Sequence, residues 1–150
     1  MALTPGQAVD FKGSLNALSG EWRTHRELTF TCIGDSDGSI AATAINAANL
    51  KLLMGTYLSR FIVTFGSPAP DDDADITFTD EYGFDVLGGL GANALDSATN
   101  SGLLPIFSTY LSGIPLIGPL TLTVTNQTVD SAEWDIICIF TDYPIPVTVT

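Results

Sequence analysis

The chain has 150 residues, 45% of them apolar, and a formal charge of −12. That length suits one domain, and a domain of this size buries roughly 68–70% of the surface its unfolded chain exposes. Mean hydropathy is high at +0.30, yet no run reaches the roughly 18 uninterrupted apolar residues of a membrane-crossing helix. A membrane protein is therefore not expected.

The opening residues, MALTPGQAVDFKG, lack the charged start and apolar stretch of a secretory signal, which points to synthesis in a cytoplasm without export. The first 20 residues are small or polar with weak periodicity, and they predict an N-terminal arm ahead of a domain spanning 21–150. Strand signals dominate from residue 21 onward, because apolar residues recur at every second position. Leu28, Phe30 and Cys32 open the pattern. Residues 44–54 alone have helical character, with Gly55 placed to stop the helix. Tyr57, Ser59, Phe61, Val63 and Phe65 predict one face of a longer strand, and Ile76 and Phe78 mark a shorter one. The segment 88–119 is rich in Gly, Asn, Ser and Pro, but it also carries Leu103, Leu104, Ile106, Phe107, Leu111, Ile114, Leu116 and Ile117. So apolar a loop has to pack against something, and a subunit interface is the expectation over the loop's own domain. Residues 120–125 and 133–140 alternate cleanly, with Trp134, Ile136, Cys138 and Phe140 on one face. Val147 and Val149 suggest a terminal edge strand, since Pro144 and Pro146 cannot donate ladder hydrogen bonds.

Turn clusters separate these runs at 34–38, 66–70, 80–83 and 126–127. The expected architecture is all-β: a single-domain antiparallel sandwich or jelly-roll-like barrel with an N-terminal arm and one long apolar loop. Cys32 and Cys138 both fall in apolar strand runs, which predicts buried, reduced thiols, with a cross-strand disulfide as the alternative.

Charge is unevenly placed. Residues 1–60 carry all five bases (Lys12, Arg23, Arg26, Lys51, Arg60) and five acids, whereas 61–150 carry twelve acids and no Lys or Arg. Such a chain repels phosphate, so nucleic acid is not an expected partner. Catalysis is not expected either. A Ser/His/Asp or Cys/His arrangement would have to use His25, the single histidine, which lies off the apolar face beside Arg23 and Arg26. Asp71, Asp72, Asp73 and Asp75 are crowded enough for paired-carboxylate chemistry, but they follow Pro68 and Pro70 and predict a solvated acidic turn. Asp35-Ser36-Asp37-Gly38 imitates the start of a calcium loop, yet Ser39 and Asn46 stand where further carboxylates belong. Gly88-Gly89-Leu90-Gly91 lacks the lysine of a phosphate-binding loop. No catalytic, metal or cofactor residue is assigned.

The run Asp75-Ile76-Thr77-Phe78-Thr79-Asp80-Glu81-Tyr82-Gly83-Phe84-Asp85-Val86-Leu87-Gly88-Gly89 joins a strand, a D-x-x-G turn and an aspartate followed by two apolar residues before a glycine. With Gly91-Ala92-Asn93, Gly118-Pro119-Leu120-Thr121-Leu122-Thr123-Val124 and the strand around Asp135–Phe140, it resembles small structural proteins of tailed bacteriophages. The likeness covers roughly the second half of the chain, with a looser match over 55–70. It implies a non-enzymatic protein of the virion capsid surface, a decoration or cement protein that binds the major capsid protein as a homo-oligomer, a trimer at local three-fold positions. Other phage components, of the neck, tail or baseplate, are the alternative. A carbohydrate-binding module whose site is the acidic turns stands behind both.

The acidic skew also predicts an orientation. Burying unpaired carboxylates against another protein costs desolvation and repulsion, so the arm of 1–20 with Arg23, Arg26, Lys51 or Arg60 is the expected contact region. The Asp71 to Asp75 turn is expected to face solvent.

Overall fold

The structure, a computed structural model, describes residues 2–15, 22–103, 111–142 and 145–146. The elements in chain order are β1 (Gly6–Leu15), β2 (Trp22–Ile33), β3 (Thr43–Ala44), α1 (Ala47–Leu53), β4 (Tyr57–Phe65) and β5 (Asp75–Thr79), then β6 (Ser101–Leu103), β7 (Leu111–Ser112), β8 (Ile114–Pro115), β9 (Thr121–Thr125), β10 (Glu133–Thr141) and β11 (Ile145–Pro146). Strands β1-β2-β10-β4-β6 form a large antiparallel sheet, with β8 also paired to β4, and β3-β9-β5 form a smaller one. The short strands β7 and β11 pair with each other. The protein is the all-β antiparallel sandwich that the alternation predicted. Strand β10 is inserted between β2 and β4, so the large sheet closes only when the end of the chain arrives.

The alternating residues account for the core. Leu28, Phe30 and Cys32 of β2 and Trp134, Ile136, Cys138 and Phe140 of β10 are buried, as are Ile76, Phe78 and Leu122 of the facing sheet. Both cysteines are free and buried, and burial pushes both thiols well above their usual pKa. Register explains why they do not bond: Cys32 lies opposite Trp134, and Cys138 opposite Leu28.

Four expectations need revision or completion. Within the predicted arm, Gly6–Leu15 forms β1, a strand paired along its length with β2. Its alternation was faint because it is an edge strand with little cover: Ala8, Asp10, Phe11 and Lys12 are exposed and Val9 is half-buried. The β1–β2 hairpin does outrun its neighbour, since β10 ends at Thr141 opposite His25 while β1 and β2 continue to the Leu15–Trp22 pair.

The predicted face of β4 changes sides part-way. Arg60 lies opposite Ile139 and Leu58 opposite Phe140, so Ser59 is the extra residue of a β-bulge. Phe61 and Val63 point into the core as expected, but beyond the bulge Leu58 takes the buried role and Tyr57 is half-buried. Ser59 is itself enclosed, its hydroxyl hydrogen-bonded to that of Thr141.

The helix is shorter than 44–54 because Thr43–Ala44 is recruited into β3. Asn46 caps it by accepting from the Asn49 N–H at 2.8 Å, and Gly55 ends it with φ +82°.

The apolar loop returns to its own domain over its described parts. Strands β6 and β8 pair with β4, and Leu95 and Leu116 are buried while Ile117 is exposed. Leu104, Ile106 and Phe107 lie outside the described residues, as do Pro144, Val147 and Val149.

Candidate functional site

The acidic candidates form an exposed turn, with Asp72 and Asp73 exposed and Asp71 and Asp75 half-buried, but their carboxylates are not idle. Asp71 accepts hydrogen bonds from the backbone N–H and hydroxyl of Thr128, and its own N–H donates to Gln127 Oε1. Asp72 accepts from Ser97 N–H at 2.7 Å. Asp75 accepts from Asn93 N–H and from Asn126 Nδ2, each at 2.8 Å. Asp73 occupies a left-handed turn position, φ +68°, and is exposed. Three of the four carboxylates therefore tie together loops distant in sequence. Hydrogen bonds from the Ser97 side chain and backbone hold the Asp72 carboxyl below its usual pKa. A glycosidase acid has its pKa raised instead.

The same usage recurs along the chain. Asp85 accepts from the N–H groups of Phe78, Leu87 and Gly89, and Asp80 from those of Tyr82 and Phe84. These contacts are the D-x-x-G hairpin seen from inside, with Gly83 supplying the positive φ of +85°. Asp37 accepts from the hydroxyl and N–H of Ser39, bonds that lower its pKa. Among the described residues, no group of three or more His, Cys, Asp or Glu side chains is placed to hold a metal ion. His25 is half-buried on the outer face of the sheet, 3.2 Å from Glu27.

The glycine-rich segment serves packing. A Cβ on Gly91 would lie 1.9 Å from the carbonyl oxygen of Ile76, and the Gly91 carbonyl accepts from Ile76 N–H. Only glycine lets this loop lie against β5.

Register then sorts charge by the ends of the sandwich. At one end stand Ile33, Phe65 and Glu133 of the large sheet and Asp75 of the small one. There the turn at 34–38, the Asp71–Asp75 segment and the loop around Thr128 are bonded to one another, with buried Gln127 donating to the Gly38 and Val129 carbonyls. Among the described residues this end carries acids and no Lys or Arg. The opposite end, marked by His25, Tyr57, Thr79 and Thr141, holds Arg26, which donates to the Leu52 carbonyl of α1 and lies over the Phe11 ring. Lys51 projects from the last turn of the same helix.

That mixed end also presents Tyr82, Phe84 and Ile117, exposed at 75%, 72% and 76%. Beside them a cavity of about 190 Å3 is lined by Tyr82, Val86, Ile117 and Leu120, with the acids Asp80 and Glu81 also on its wall. An end whose described charges are all acidic thus lies opposite an end that combines both cations and acids, Asp80 and Glu81 among them, with exposed aromatic and aliphatic side chains. Such an apolar group rimmed by polar residues is the usual form of a protein-binding surface. The chain matches no model of a known protein family and no curated protein sequence.

Sequence reading placed Ile117 in a loop bound for a subunit interface, but it assigned neither Tyr82 nor Phe84 to a surface. A signal for these two was present: they flank a glycine inside an aspartate-led tight turn, where side chains have no interior to enter.

Proposed function

We propose that the protein is a non-enzymatic structural component of a virion, a decoration or cement protein that sits on the outer capsid surface and strengthens contacts between major capsid subunits. The observation that carries this reading is the commitment of Asp71, Asp72, Asp75, Asp80 and Asp85 to backbone N–H groups of the protein's own loops. Carboxylates so engaged are spent on rigidity and are poor general acids or bases. The resemblance of the second half to small phage structural proteins supplies the setting. The mixed end, with Lys51, Tyr82, Phe84 and Ile117, is the docking surface, and the acidic end faces solvent. Apolar burial there provides affinity, and the acidic skin keeps the unattached protein soluble.

Copy number tests this directly. Quantified from purified virions, a cement protein approaches the abundance of the major capsid protein. A copy number tens of times lower would place the protein in the neck, tail or baseplate and overturn the capsid reading.

A further inference from the structure

We infer that two copies of this chain join edge to edge through β1, antiparallel about a two-fold axis at Phe11, so that Asp10 of each copy faces Lys12 of the other. Strand β1 ends the large sheet, and among the described residues no other strand than β2 pairs with it. An open edge ten residues long is a template for another strand. Natural edges of this length are usually bulged, covered or heavily charged, whereas β1 pairs without register shift and carries only Asp10 and Lys12 as charges.

The occupant follows from charge. Asp10 lies directly opposite Glu27 across the β1–β2 ladder, and Lys12 opposite His25. Asp10 and Glu27 are like charges facing each other, which destabilises a sheet, and Glu27 already has a hydrogen-bond partner in His25. Neither Asp10 nor Lys12 has an ion-pair partner among the described residues, and both are exposed. In an antiparallel pair of identical strands centred on Phe11, each Asp10 meets the other copy's Lys12. Centring one residue earlier sets Asp10 against Asp10, and one residue later sets Lys12 against Lys12, so repulsion rejects both neighbouring registers. The chosen register also sets Phe11 against Phe11. That side chain is 58% exposed although Arg26 stacks on it at 5.3 Å, and a facing ring would cover it. The interface is isologous, as a two-fold axis requires. It favours two-fold pairing over the three-fold association implied by the phage resemblance, and it is independent of the capsid reading.

Charge swaps on the full-length chain give the test, read by sedimentation equilibrium and light scattering. D10K sets a new lysine against Lys12 of the other copy, and K12D sets a new aspartate against Asp10, so each variant alone should raise the dimer dissociation constant at least about tenfold. An equimolar mixture of D10K and K12D removes the repulsion, since one copy then offers only lysines and the other only aspartates, and it should recover the wild-type value. The double swap D10K/K12D should also dimerise. Under mild oxidation, F11C should cross-link to a dimer while A8C, off the two-fold axis, should not. The exposed positions leave the fold intact, which circular dichroism verifies. A monomeric wild type, or mixing and single variants that behave alike, would overturn the inference. So would a wild-type oligomer unchanged by every charge variant.

Discussion

Phe30 of β2 and Phe78 of β5 meet edge to face across the sandwich, ring centroids 5.8 Å apart and planes at 82°. Phe61 of β4 approaches the same Phe78 ring at 6.0 Å, so one side chain of the small sheet anchors two strands of the large one. Truncating Phe78 to alanine should cost about 3–5 kcal/mol by chemical denaturation. A double-mutant cycle with Phe30→Ala should return a coupling of about 0.5–1.5 kcal/mol. Additive losses would mean that the two rings do not stabilise each other beyond their burial.

Trp134 presents a different balance. It is 1% exposed, and among the described residues its Nε1 is buried without a hydrogen-bond partner. An unsatisfied buried donor costs about 1–3 kcal/mol, which offsets part of what the large ring contributes. Trp134→Ala should lose about 3–5 kcal/mol, whereas Trp134→Phe, which removes the orphan N–H with less loss of volume, should lose less than half as much. Equal losses for the two variants would show that the indole N–H contributes to stability.

The carboxylate staples predict an acid-sensitive loop end. Asp72 and Asp37 have pKa values lowered by hydrogen bonds from Ser97 and Ser39. For a carboxyl whose folded-state pKa lies below its unfolded value, the stabilisation is fully present above the unfolded pKa, near 3.9. It is lost as pH falls through the folded value. Amide exchange at Ser97 and Ser39, corrected for its intrinsic pH dependence, should therefore be fully protected above about pH 4 and lose protection progressively below it, as pH falls through the lowered folded-state pKa. Asp72→Asn, which cannot gain a negative charge, should flatten that dependence at Ser97 while leaving Ser39 unchanged. Protection at Ser97 that stays constant down to about pH 2 would remove Asp72 from this role.

Much of the sandwich was legible because residues buried on one face alternate. Leu28, Phe30, Cys32, Trp134, Ile136 and Phe140 lie where parity put them. The failures have local physical causes. Parity reading assumes an unbroken ladder, and one bulge at Ser59 moved burial from Tyr57 to Leu58. An edge strand leaves both faces wet, which hid β1 inside an apparent arm. The use of Asp71, Asp72 and Asp75 was illegible for a different reason: their partners Thr128, Ser97 and Asn93 are 57, 25 and 18 residues away, and nothing local marks them.

The last prediction concerns orientation on the acceptor. Charge counted along the chain placed every cation before residue 61, but strands from both halves interleave in the two sheets, so segments do not become faces. They become ends: β2 and β4 both deliver their termini to the acidic end beside Glu133, while Arg26, Lys51 and α1 lie at the other. A contact made by the acidic end would bury carboxylates where the described residues offer no Lys or Arg to offset them, with desolvation and repulsion to overcome. The mixed end holds acids too, exposed Glu81 among them, but it also holds the cations Arg26 and Lys51, and it exposes Tyr82 and Phe84 as anchors of the type that dominates interface energetics. With capsids that lack the protein, Tyr82→Ala and Phe84→Ala together should reduce occupancy at least about tenfold. Lys51→Glu should weaken it about two- to fivefold, more at low salt than at high. Asp73→Asn with Glu133→Gln, two exposed acids of the other end, should leave occupancy unchanged. Loss of binding in that last variant, with Tyr82, Phe84 and Lys51 replaceable at no cost, would reverse the orientation.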